Sequence, residues 1–94
     1  MMINVVDEQQ DTLFEFPCQF PIKIMGQATE EFEFEVIAII RRHVPDLGEA
    51  AINRRESAAK NYAALTVTIN ATSKAQLDAI YQELSGHPLV LMAL

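Results

Sequence analysis

Cysteine is almost missing from this 94-residue chain: Cys18 stands alone, so no disulfide can close within it. No apolar run approaches the ~20 residues a helix needs to cross a bilayer. The first twenty residues lack the basic start and apolar stretch of a secretory signal. A reducing cytoplasm is the expected compartment. Glycine occurs three times, far apart, which removes a Gly-rich phosphate loop, and neither Cys-x-x-Cys nor His-x-x-x-His occurs. Cations are scarce as well: seven Lys and Arg against thirteen Asp and Glu give a net charge of −6, a field that repels phosphate backbones and anionic lipid. Neither nucleic acid nor a membrane is an expected partner.

What is present is a well-patterned small domain. Half of the residues are apolar and 21% are charged, a balance that excludes an intrinsically disordered chain. The length suits one core. Residues 1–12 carry five consecutive Asp, Glu and Gln residues, Asp7 to Asp11, without sustained periodicity, and read as a mobile acidic arm before a single domain over 13–94. Phe20, Ile22 and Ile24 alternate with Pro21, Lys23 and Met25, predicting a first strand ended by Gly26. Thr29 can cap a helix that opens on Glu30, Glu31 and Glu33 and closes on Arg41, Arg42 and His43 before Pro45, each charge set matching the helix end it occupies. Its stripe is Phe32, Val36, Ile39, Ile40 and His43, which leaves Phe34 facing water.

After Pro45 to Gly48, residues Ala50 to Glu56 predict a short second strand whose polarity places it at a sheet edge. Tyr62 to Ala71 is the clearest strand, with Leu65, Val67, Ile69 and Ala71 on one face and Ala64, Thr66, Thr68 and Asn70 on the other. Ser73 and Gln76 resemble a capping box ahead of Leu77, Ile80, Tyr81 and Leu84, and Gly86 and Pro88 end that helix. Leu89 to Leu94 predicts a last strand. This order is the split β-α-β motif of an α+β, ferredoxin-like fold: a four-stranded antiparallel sheet ordered 4-1-3-2 with both helices on one face.

From Phe14 to Leu94 the chain resembles the YbeD-like family of small bacterial proteins of uncharacterised function. The residues that carry this are Glu15-Phe16-Pro17, Lys23-Ile24-Met25-Gly26-Gln27, Arg42-His43 with Pro45, Asn61-Tyr62, Ile69-Asn70-Ala71-Thr72 and Tyr81-Gln82-Glu83-Leu84. The resemblance implies a fold similar to ACT regulatory domains, which bind small molecules such as amino acids and control enzymes. It implies no catalytic residue. The chain departs from the pattern in a longer connector between Pro45 and Tyr62 and in Leu91, where a basic residue is expected.

No residue set announces catalysis, a metal or a cofactor, and the expectation is a non-enzymatic regulatory module, or else an adaptor that binds protein alone. Cys18, remote from His43 and His87 in sequence, reads as a small half-buried apolar residue. Glu30, Glu31, Glu33 and Glu35 point in different directions around a helix and read as a solvated turn. The open sheet face offers Tyr62 as its sole aromatic, which does not suit base stacking, and Arg54 and Arg55 alternate faces on an edge. His43 is expected to bond free carbonyls at its helix end. Two surfaces remain. Leu89, Leu91 and Ala93 on the outward face of the last strand, beside Met25, together with Phe34, form the candidate interface with a protein partner or a second copy in a symmetric dimer. The turn of Gly26, Gln27 and Thr29 is the candidate site for a small anionic ligand such as an amino acid; only Gly26 transfers from ACT domains, and it can equally serve a turn with positive φ.

Overall fold

Two strands of period-two alternation pair along their whole length and set the frame. The computed structural model describes residues 15–57 and 61–94; the acidic arm expected over 1–12 lies outside them. Strand β1 (Cys18–Gln27) runs antiparallel to β3 (Tyr62–Ala71), with Ile22 opposite Val67 and Ile24 opposite Leu65. Their shared inner face is sealed: Ile22, Ile24, Leu65, Val67 and Ile69 are buried. Cys18 is half-buried against this core, as its sequence context suggested. Strand β2 (Ile52–Glu56) pairs with β3, and β4 (Val90–Ala93) with β1, giving the order β2-β3-β1-β4. This is the expected ferredoxin-like α+β arrangement, read from the opposite edge.

Helix α1 (Glu30–His43) starts where the Thr29 hydroxyl accepts the Phe32 N–H at 3.1 Å. Its buried side chains are Phe32, Val36, Ile39 and Ile40, while Phe34 on the far side is 69% exposed. Helix α2 (Lys74–Ser85) starts at Ser73, whose hydroxyl accepts the Gln76 N–H at 3.1 Å. The Gln76 side chain reaches back one residue further than a capping box requires, accepting the Thr72 N–H at 2.7 Å.

Four expectations need correction. Strand β1 passes through Gly26 instead of ending there, and no described glycine has positive φ. Gly26 is required for space: a Cβ would fall on the Phe32 ring and within 2.5 Å of the Leu89 carbonyl oxygen. The second strand begins only at Ile52, because Glu49–Ala51 form a 3₁₀ turn and Leu47 is buried, tying the connector into the core. His43 does not cap carbonyls; its Nε2 lies 2.5 Å from Glu83 Oε1. Finally, β4 carries a bulge. Met92 pairs with Met25 but Val90 with Gly26, so Leu91 is an extra residue. The slip turns Met92 outward and Ala93 inward, and Leu89 and Val90 ahead of it also pack against the core, so Leu89 and Ala93 are not part of the outward strip.

Candidate functional site on the open face of the sheet

The registers define rows of side chains across the face that no helix covers. One row reads Arg55, Ala64, Met25, Met92 from β2 to β4. The next reads Asn53, Thr66, Lys23, with Leu94 completing it through reciprocal backbone bonds to Lys23 of 3.1 and 2.7 Å. On the other side Tyr62 pairs with Gln27. A groove of about 340 Å³ crosses this end of the face, lined by Met25, Tyr62, Ala64, Leu91 and Met92 with Arg55, Glu56 and Ser57 at its border. Of the five large apolar side chains most exposed among the described residues, Tyr62 (52%), Leu91 (62%), Met92 (49%) and Leu94 lie here, and only Phe34 lies elsewhere.

The short strand that presents Leu91 and Met92 is held at both ends. At its start His87 Nδ1 accepts the Leu89 N–H at 3.1 Å, which fixes the ring proton on Nε2, facing Glu35 Oε1 at 3.3 Å. At its end the Tyr81 hydroxyl donates to the Leu94 carbonyl at 2.8 Å. Burial raises the Tyr81 pKa above the usual phenol value, so the hydroxyl keeps its proton for that bond.

The other expected site is not assembled. Gly26 is buried beneath Phe32, the Thr29 hydroxyl is taken by the Phe32 N–H, and Gln27 is an exposed strand residue. Gly26, Gln27 and Thr29 line neither the groove on the sheet face nor the one beside α1. The second groove, about 640 Å³, lies between Phe34, Ile37 and Arg41 of α1 and Ile52 and Arg54 of β2. Arg54 is paired there, its Nε 3.0 Å from Glu33 and its guanidinium 2.8 Å from Glu56. Phe34 is therefore on the opposite side of the molecule from Met25 and Leu91, and the expected interface residues divide between two surfaces.

Sequence reasoning missed Met92, because a one-residue bulge reverses facing and leaves no mark in an all-apolar segment. It also missed Glu83, which joins the helices by receiving His43 and Arg42, the latter at 2.6 Å. The hydrogen bond from His43, then that from Arg42, holds the Glu83 carboxyl below the ordinary range. Among the described residues no three His, Cys, Asp or Glu side chains are placed to share a metal ion, no charged side chain is buried, and no helix is long and apolar enough to cross a membrane.

Comparison with known proteins agrees with the resemblance read from the residues. A UPF0250 protein of Chromobacterium violaceum is 52% identical over 88 residues, covering 94% of this chain and 98% of the relative. UPF0250 proteins of Paraburkholderia phytofirmans and Nitrosomonas europaea are 45% and 44% identical, over 89% and 90% of this chain and 94% and 98% of theirs. Residues 11–94 match the family described as "Protein of unknown function (DUF493)". The chain belongs to this DUF493, or UPF0250, family of small bacterial proteins.

Proposed function

We propose that the protein is a non-enzymatic interaction module of regulatory type, acting through a protein partner that docks on the open face of its sheet. The observation that carries this reading is the clustering of Tyr62, Leu91, Met92 and Leu94 on one uncovered face of a domain whose core is closed elsewhere. Isolated apolar side chains are ordinary on a surface, whereas a contiguous patch marks a contact. The ferredoxin-like arrangement shared with ACT domains favours regulation by analogy of fold alone. A lone half-buried cysteine suits a reducing cytoplasm. A small-ligand site at Gly26, Gln27 and Thr29 is less supported, since the space beside the glycine already holds Phe32.

A photo-reactive side chain introduced at Leu91 in the native host tests the reading, with Gln19 at the far end of the same face as control. A recurrent protein adduct at Leu91 and not at Gln19 is expected. No adduct at Leu91, combined with a rise in melting temperature on adding an amino-acid pool, would replace the partner with a ligand. A ligand at 100 times its Kd stabilises by ~2.7 kcal/mol, well within detection.

A further inference from the structure

The charge of the open face is opposite to that of the molecule. The chain carries −6, yet the outward positions of β1, β2 and β3 contain no Asp or Glu and two cations, Lys23 and Arg55. Neither makes an ion pair with a described residue. Glu56 reaches the border of the groove, but its carboxylate is held by Arg54 at 2.8 Å. The acidic first turn of α1 belongs to the helix layer on the other side of the sheet. At physiological salt a Debye length of ~8 Å screens much of that distant charge from anything seated on the open face.

We propose that the occupant of this face is an amphipathic helix of a partner protein whose apolar stripe is bordered by carboxylates; this rests on the interaction-module reading above. The apolar row Ala64, Met25, Met92 crosses three strands, ~10 Å at the usual strand spacing, which is the width of one helix. A helix brings a backbone that is already hydrogen-bonded, as a segment lying on a sheet face must, whereas an extended peptide needs a free strand edge. Methionines at the centre, Met25 opposite Met92, adapt to varied apolar side chains as such grooves require. Carboxylates on the helix flanks meet Lys23 and Arg55. A second copy of this chain is a poorer occupant, because it brings Lys23 and Arg55 again and no face carboxylate to receive them. A free small molecule is poorer too, since the groove's lining surface is almost wholly apolar and lacks the convergent polar groups that fix a ligand's orientation.

Two synthetic 18-residue helices with the same Leu and Met stripe, one with Glu flanks and one with Lys flanks, are titrated into the full 94-residue protein while amide NMR shifts are followed. The acidic helix is expected to bind at least tenfold tighter, about 1.4 kcal/mol, despite the acidic molecule, with shifts centred on Met25, Ala64 and Leu91. The double substitution Lys23→Glu with Arg55→Glu, at two exposed sites, should reverse the preference, and Met92→Asp should abolish binding of both helices. Equal or tighter binding of the basic helix at these residues overturns the acidic partner while leaving the interaction reading intact. Binding of neither helix at hundreds of micromolar, or a dimer of the protein burying Met92 at that concentration, also overturns it. The photo-adduct at Leu91 reports on the interaction reading separately.

Discussion

Ile69 and Thr68 are neighbours in β3, yet they meet opposite environments. Ile69 is buried under the helices, and Thr68 stands in the uncovered face opposite Pro21. The same division runs along β1, where Ile22 and Ile24 are buried while Lys23 is exposed and Met25 is half-covered. On the covered face every large apolar residue finds a partner within the chain. On the open face the apolar residues gather at one end, around Met25, and the rest is Thr, Asn and Gln with Pro21 and the cations Lys23 and Arg55. One face is therefore complete within the domain, while the other has a complete polar half and an apolar half that lacks a cover. The difference locates stability on one side and contact on the other.

The comparison breaks most easily in the core. Ile69→Ala removes a side chain with 1% exposure and should cost ~2 to 5 kcal/mol, whereas Thr68→Ala should stay within about 1 kcal/mol. Denaturant melts of the two variants decide it, and equal costs would mean that β3 is assigned to the wrong face. Gly26→Ala comes next, at ~1 to 3 kcal/mol, because the added methyl meets the Leu89 carbonyl oxygen at 2.5 Å and backbone cannot rotate aside as a side chain can. A neutral outcome in the same melts would show that β4 is free to move away from β1.

The covered face was legible in the sequence because burial on one side imposes a period on the residues. Leu65, Val67 and Ile69 alternate, Phe32, Val36, Ile39 and Ile40 recur along one stripe, and Thr29 and Ser73 sit at the caps, so local and tertiary demands agree. The open face was legible only through β1 and β3. Around β4 every residue from Leu89 to Leu94 is apolar, so no alternation reports which way each points, and the bulge at Leu91 reverses the assignment of Met92 and Ala93. Gly26 stands out in the sequence as a strand end or turn, but the demand for glycine comes from Phe32 and Leu89 rather than from its own backbone angles. His43 and Glu83 are 40 residues apart, and no local pattern connects them.

A smaller effect sharpens the division. Leu91→Arg places a charge at a side chain already 62% exposed, outside the core, and should change folding stability by no more than about 0.5 kcal/mol while eliminating contacts made by the open face. Thermal melts and the adduct yield at a second site, Met92, measure the two sides independently. A large loss of stability would mean that Leu91 supports the fold and that the patch is part of the core.

The last expectation concerns acid, and it tests the helix layer without touching the open face. Glu83 receives His43 and Arg42, and these hydrogen bonds lower its pKa below the ordinary carboxylate value. A carboxyl with a lower pKa when folded binds fewer protons in the folded state than in the unfolded one between those two values, so stability rises with pH across that window. The contribution is whole above the ordinary carboxylate range, above about pH 5, and disappears as pH falls through the folded value. Glu83→Gln keeps the size and can still accept a hydrogen bond but cannot titrate, so its stability should fall less steeply with acid than that of the parent. Denaturant midpoints between pH 6 and pH 2.5 measure the difference, which is small because the pair is at the surface and screened by salt. The gap between the two proteins should narrow as pH is lowered and shrink further at 1 M salt. A gap that stays constant with pH would show that Glu83 joins the helices by packing and not by its charge.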